Sequence, residues 1–233
     1  MNTGNTEDQD KKKDIDKTLA LHGLKFPYRR FLDSFAEKIK FIHPDIISYI
    51  AFIIALLTGY LFFHSGRLSY FLIVCIILII LRMTLNTLDG LIALKIRRTS
   101  MKGKIMNALP DRYADVFVVG GIAFSSLCDI RIGAIALISM LLVSYSGMLG
   151  KAIGVTWQQH GPLDKVDRLF LIMGISLIQF IKIKTSGPIF IMLGFKFTVM
   201  EWGMLLFILL AQITVINRVV GMVREINKIE SRK

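Results

Sequence analysis

The strongest constraint on this chain is a set of long stretches without a single charge: Ile46–Phe63, Leu68–Leu81, Val116–Leu127, Ile132–Leu149, Leu169–Ile181 and Met204–Ile216. A helix at a protein–water surface needs one polar face, and these runs offer little of one. With mildly polar flanks each makes a helix of about 20 residues, the length that crosses the hydrocarbon layer of a membrane. The runs opening at Val116 and Leu169 reach that length only when the polar residues just before them are included. Apolar side chains make up 54% of the chain, which suits a bilayer better than water. The expected fold is therefore all-α: a polytopic membrane protein with six transmembrane helices.

A net charge of +12 raises the question of nucleic acid. The basic residues, however, follow the spans rather than one soluble face. Lys11, Lys12, Lys13, Lys17, Lys25, Arg29, Arg30, Lys38 and Lys40 precede the first span, and Lys95, Arg97, Arg98, Lys102 and Lys104 lie between the second and third. Lys151, Lys165 and Arg168 sit between the fourth and fifth, and Arg218, Arg224, Lys228, Arg232 and Lys233 close the chain. An even number of spans puts all of these on one side, where the positive-inside rule places both termini in the cytoplasm. The expected location is the cytoplasmic membrane of a prokaryote, with no nucleic-acid partner. No apolar core lies near the start, so no cleavable signal peptide is expected. Cys75 and Cys128 match neither a metal knuckle nor a disulfide framework.

Phe31, Leu32, Phe35, Ile39 and Ile42 recur at helical spacing among basic residues. They predict an amphipathic helix lying on the membrane surface, ended by Pro44. The organisation expected is a polar cytoplasmic tail over 1–27, a juxtamembrane helix over 28–43, one six-helix domain over 44–225 and a basic tail over 226–233. Gly120, Gly121, Gly150 and Gly154 allow helices to approach closely, inside the bundle or across the face of a homodimer.

Ionisable residues inside spans cost roughly 2.5–3.5 kcal/mol each near the centre, so they need a partner or a purpose. Here they form a pattern. Residues 82–95 read RMTLNTLDGLIALK and residues 107–115 read NALPDRYAD. Asn86, Asp89 and Ala93 share one helical face with Gly90 beside them, and Asn107, Asp111 and Asp115 share another. A turn centred near Ser100 would set Asp89 opposite Asp111 and Asn86 opposite Asp115. Clustered carboxylates repel one another unless cations hold them. The donors are hard oxygens without His or Cys, which favours Mg²⁺, Mn²⁺ or Ca²⁺. Gly90 and Ala93 leave room for a nucleotide whose diphosphate meets the metals. The bland alternative has Asn107 capping a helix, Asp111 in its first turn, and Asp89 paired with Arg82 or Arg112.

These residues resemble the signature of the CDP-alcohol phosphatidyltransferases, D-x2-D-G-x2-A-R-x(8–12)-G-x3-D-x3-D. Asp89, Gly90, Ala93, Asp111 and Asp115 match with every spacing kept; Asn86, Leu94 and Asn107 replace Asp, Arg and Gly. The segment is also similar to a bacterial branch with Asn at the first position. The resemblance implies transfer of a phospho-alcohol group from a CDP-diacylglycerol-like lipid to an alcohol acceptor, releasing CMP, in phospholipid biosynthesis. It implies two Mg²⁺ or Mn²⁺ ions held by Asn86, Asp89, Asp111 and Asp115, with Asp115 also the general base. Gly90, Ala93, Asn107, Lys95 and Arg98 would bind CDP, with Lys95, Arg97 or Arg98 making good the arginine absent at Leu94. Residues 161–168, GPLDKVDR, are similar to a stretch of the same branch, so Lys151, Lys165 and Arg168 would line the acceptor pocket. The same residues also suit plain cytoplasmic anchors, and the rival functions are an inactive relative or a small ion or solute transporter.

Overall fold

The computed structural model describes residue 37 and residues 44–95, 101–155, 161–192 and 194–231. Six helices carry the chain: α1 (Pro44–His64), α2 (Tyr70–Lys95), α3 (Met101–Ala123), α4 (Ile130–Ala152), α5 (Lys165–Ser186) and α6 (Val199–Glu230). A short antiparallel ribbon, β1 (Ile189–Met192) and β2 (Phe195–Thr198), joins α5 to α6. Pro44 occupies the first helical position, where its missing N–H costs nothing. The expected surface helix over 28–43 lies outside the described residues apart from Glu37.

Among the described residues four helices are long and apolar enough to cross a membrane: Asp45–His64, Tyr70–Ile92, Ile130–Ala152 and Val199–Glu230. By composition, then, four of the six expected spans are met among the described residues. The two helices below that mark, α3 and α5, are 23 and 22 residues long and have the necessary length. Their leading halves carry Asp111, Arg112 and Asp115 in α3, and Lys165, Asp167 and Arg168 in α5, which lowers their apolar content.

The main helix contacts run α1–α2, α2–α5, α5–α6, α6–α4, α4–α3 and α3–α1, so the six close into a ring in which each touches two neighbours. Phe62, Leu72, Met140, Ile172 and Phe207 fill its middle, while Ile53, Ile77, Ile138 and Leu209 point outward and exposed. An apolar outer surface is the arrangement a bilayer rewards. Where α1 crosses α3, Gly121 presses on Gly59: a Cβ on Gly121 would lie 2.1 Å from the Gly59 carbonyl oxygen. The two backbones approach because neither residue has a side chain. Gly154, by contrast, does not sit in the fourth span beside Gly150. Helix α4 stops at Ala152, and Gly154 follows it at φ +81°, a turn conformation that Gly adopts at little cost.

Hydrogen bonds tie together the helix ends remote from the acids. Asp129 caps α4 by accepting from the Arg131 N–H at 2.8 Å, and its own N–H donates to Glu201 Oε1 at 2.9 Å. Thr198 and Glu201 form a capping box at the start of α6, and Thr198 Oγ1 donates to the Leu127 carbonyl at 2.5 Å. Burial pushes the Cys128 thiol at this end up to about 12. At the opposite end Gly161, at φ +138°, lies against Thr214 of α6, and the Leu163 N–H donates to Thr214 Oγ1 at 3.0 Å. This anchors the segment that leads into α5. Helix α6 runs on through residue 225 to Glu230.

Candidate active site

The acids come from α2 and α3, but these helices do not pack backbone to backbone. Helix α1 lies against both, and side chains bridge the gap between them. One face of α2 supplies Arg82, Asn86 and Asp89, four and three residues apart; α3 supplies Asp111, Arg112 and Asp115. Ser48, Ala51 and Phe52 of α1, with Pro110 and Ala114 of α3, complete a cleft lined by Arg82, Asn86, Asp89 and Asp111.

Across this cleft Asn86 Nδ2 donates to Asp111 Oδ1 at 3.0 Å, and Arg82 Nη2 donates to Asp115 Oδ1 at 3.1 Å. The pairing therefore differs from the expected one: Asn86 meets Asp111 rather than Asp115, and Arg82 takes the place opposite Asp115. The shift is about one helical turn. It arises because α2 ends at Lys95 and α3 begins at Met101, which moves the midpoint of the connection N-terminal to Ser100. Asp89 is buried and accepts from Ser48 Oγ at 2.6 Å, a partner on α1 that the periodicity of α2 and α3 cannot indicate.

Basic residues from four helices surround the acids. Arg82 reaches Asp111 at 3.7 Å as well as Asp115. From α5, Lys165 pairs with Asp111 and Arg168 Nη2 lies 3.3 Å from Asp115 Oδ2. Arg112 lies 3.7 Å from the same oxygen and donates to Ser144 Oγ of α4 at 2.5 Å; Arg168 also reaches Ser144, at 3.4 Å. Arg218 of α6 donates to the Val143 carbonyl at 2.5 Å and to Asp164 Oδ1 at 3.2 Å. Arg82, Asp115, Arg168 and Arg218 are all buried. Even so, Asp115 Oδ2 and Arg82 Nη1 take part in no hydrogen bond. A fold maintained for stability alone gains little from such a network, since apolar packing usually does as well or better. Asp115 Oδ2, held by ion pairs alone, and Arg82 Nη1 leave hydrogen-bonding capacity at its centre that suits a polar ligand.

The expected site residues fall into three groups. Asn86, Asp89 and Asp111 share the cleft. Asp115, one turn further along α3, faces an adjoining cavity with Arg168, Met140 and Phe207. Lys165 and Arg168 reach the acids, whereas Lys151 lies exposed on the last turn of α4. A Cβ on Gly90 would meet nothing within 4 Å, so the backbone there is open to a ligand. Ala93, Lys95 and Asn107 have helical backbones with side chains outside the described residues, which also exclude Arg97 and Arg98. Arg112, Arg218, Ser48 and Ser144 join the site without having been singled out by motif. For the two arginines the signal was available: a charge within or just beyond an apolar run.

Among the described residues no three His, Cys, Asp or Glu side chains converge closely enough to hold an ion by themselves. The cleft instead offers two carboxylates and an amide oxygen, from Asp89, Asp111 and Asn86. That donor set fits a hard divalent cation whose remaining ligands come from substrate phosphate, the usual habit of Mg²⁺. Lys165 now neutralises the Asp111 carboxylate that such an ion would share.

No protein-family model matches the chain. It is 30% identical over 125 residues to the inner membrane protein YnbA of Escherichia coli K12, a match covering 54% of this chain and 62% of that one. The aligned part thus spans less than two thirds of the E. coli protein. An archaetidylinositol phosphate synthase of Pyrococcus horikoshii is 28% identical over 142 residues, covering 61% of this chain and 73% of the relative. In three dimensions the chain is similar to the Mycobacterium tuberculosis phosphatidylinositol phosphate synthase PgsA1 crystallised with CDP-DAG bound. The TM-score is 0.65 at 17% identity, over 83% of this chain and 94% of that one. The same enzyme in complex with manganese and citrate matches with a TM-score of 0.65 over 82% of this chain and 88% of its own. The likenesses are thus, in sequence, to an inner membrane protein and to archaetidylinositol phosphate synthases and, in fold, to PgsA1, and the chain is an integral membrane protein.

Proposed function

We propose that this chain is a metal-dependent phosphotransferase that moves a phospho-alcohol group from a CDP-linked lipid to the hydroxyl of a phosphorylated acceptor, releasing CMP. The observation that carries this reading is the buried Asp115 Oδ2, which takes no hydrogen bond and lies between Arg112 and Arg168, beside the cleft of Asn86, Asp89 and Asp111. All six helices cross the membrane with both termini in the cytoplasm, the side on which the acids and the basic loops then lie.

Asn86, Asp89 and Asp111, with Asp115 one turn further along α3, would hold two Mg²⁺ or Mn²⁺ ions. When bound, such ions draw charge from the diphosphate and steady the departing phosphate. Gly90 and Ala93 admit the nucleotide, and Asn107, Lys95 and Arg98 hold it. Asp115 Oδ2 receives the proton of the acceptor hydroxyl. The acceptor's hydroxyl oxygen, freed of its proton, bonds to the phosphorus next to the lipid, the bond from this phosphorus to the bridging oxygen breaks, and CMP leaves with the bridging oxygen. Arg112, Arg168 and Arg218, with Lys151 and Lys165, give the acceptor side a concentration of positive charge suited to a phosphate monoester. The relatives named archaetidylinositol phosphate synthase agree with an acceptor of that kind.

The test is CMP release by the purified full chain in detergent with CDP-diacylglycerol and Mn²⁺ or Mg²⁺. Acceptors are inositol phosphate, glycerol phosphate, inositol and serine. Release is expected with a phosphorylated acceptor, lost on chelation and restored by either metal. Absence of release with every acceptor overturns the enzymatic reading; a preference for inositol or serine overturns the choice of acceptor.

A further inference from the structure

At the end of the bundle away from the acids, β1 and β2 form a ribbon whose register pairs Ile189 with Thr198, Phe190 with Phe197, Ile191 with Lys196 and Met192 with Phe195. Residues directly opposite in an antiparallel pair share a face. One face is therefore Phe190, Phe197, Met192 and Phe195, with no polar member; the other carries Ile189, Ile191, Lys196 and Thr198. A ribbon surrounded by water would be expected to keep such a face covered. Here Phe190 is 43% exposed, Met192 40% and Phe195 60%.

The ribbon is also fixed in position. Trp202 Nε1 donates to the Phe190 carbonyl at 3.3 Å, and the Phe197 and Trp202 rings meet edge to face at 5.3 Å. At its base the buried Gln179 donates to the Pro188 carbonyl at 3.2 Å and accepts from the Met200 N–H at 2.8 Å. The outward faces of the flanking helices are apolar too, with Ile178 and Ile181 of α5 and Leu206 and Leu209 of α6 exposed. Lys182, Lys184 and Lys196 stand at this end, and Lys184 Nζ sits 4.1 Å above the Tyr70 ring. Aromatic rings with lysines at the ends of apolar helices are the composition of a membrane–water boundary.

We infer that the ribbon is an interfacial anchor: its Phe190–Phe197–Met192–Phe195 face lies in the headgroup–acyl boundary of the leaflet opposite the acids, with Lys196 turned toward the phosphates. The ribbon stays at that depth because open strand edges are not tolerated in hydrocarbon, where unpaired backbone groups have no water. The occupant is lipid rather than a second protein, because the ribbon joins α5 to α6, whose outward residues Ile178, Ile181, Leu206 and Leu209 are apolar, and the aromatic rings and lysines at this end have the composition of a membrane–water boundary.

The test places a single environment-sensitive fluorophore (NBD) on Phe195→Cys and, separately, on Lys196→Cys. Native Cys75 and Cys128 are buried and do not compete for label. The full-length protein is reconstituted in vesicles of phosphatidylcholine and phosphatidylglycerol. With the label at 195, emission should shift to the blue, fall with shallow doxyl-lipid more than with deep, and resist aqueous iodide; at 196 iodide should quench. Iodide quenching at 195 with indifference to doxyl-lipid overturns the inference in favour of water. Shielding at 195 from both quenchers overturns it in favour of a protein cover. Met192→Cys lies on the same face and carries the same prediction if Phe195→Cys does not fold.

Discussion

Asp115 concentrates the chemistry at the scale of a single residue. Arg82, Arg168 and Arg112 lie 3.1, 3.3 and 3.7 Å from its carboxylate, yet Oδ2 has no hydrogen bond. Asp115→Asn removes the charge that holds the buried arginines, so two losses are expected. Stability should fall by about 3–5 kcal/mol, the usual cost of leaving buried charges without their partner, read as a lower unfolding midpoint in detergent. CMP release, assayed where the variant remains folded, should fall by a further factor of about 10²–10⁴, the usual contribution of a positioned base. Normal turnover by a folded Asp115→Asn protein would remove Asp115 from the role of base. Arg82 is the residue to compare, because it touches both Asp111 and Asp115. Arg82→Met should destabilise the protein by a similar amount while leaving the base in place, so some turnover should survive.

At the scale of elements, the α1–α3 crossing rests on absent side chains. Gly121→Leu would drive a Cβ to within 2.1 Å of the Gly59 carbonyl oxygen, backbone against backbone, so the helices must part. A loss of about 1–3 kcal/mol is expected, measurable as a lower midpoint of thermal unfolding, and Gly120→Leu serves as control because its Cβ meets nothing within 4 Å. The cap of α4 responds to acid. The Arg131 guanidinium beside Asp129 holds its carboxyl below the usual carboxylate range. Its stabilising effect is therefore fully present above the ordinary carboxylate pKa and lost as pH falls through the lowered value. Asp129→Asn should flatten this part of the acid limb in a thermal-unfolding series against pH.

The elements differ in how far the sequence announced them. Uncharged runs located α1 and α4 closely, because a bilayer imposes length and composition together, but marked only part of α2 and α6, which run on past them to Lys95 and Glu230. Helices α3 and α5 were legible only in part, since their ionisable halves face the ring interior and dilute the apolar signal. The signature spacing placed Asp89 and Asp111 on facing helices, but not their register. That register depends on where the α2–α3 connection turns, which helical periodicity leaves open. Arg218 and Ser144 belong to α6 and α4, which reach the site through the ring order rather than through proximity in sequence. The ribbon between α5 and α6 was not visible, because four-residue strands are too short for a periodic signal.

For the whole molecule, the ring order α1–α2–α5–α6–α4–α3 has a consequence for biogenesis. A nascent chain delivers α2 and α3 to the lipid before α5 exists, so of the described basic partners of Asp111 and Asp115 only Arg82 and Arg112 are then present. Lys165 and Arg168 arrive later, with α5, which docks on the flank of α2 that the earlier helices leave open. Until they do, Asp111 and Asp115 lack part of their counter-charge in a solvent that punishes the shortfall. The final steps of assembly thus complete the charge balance around these acids and close the wall around them at the same moment, which ties the completion of the candidate site to that of the fold.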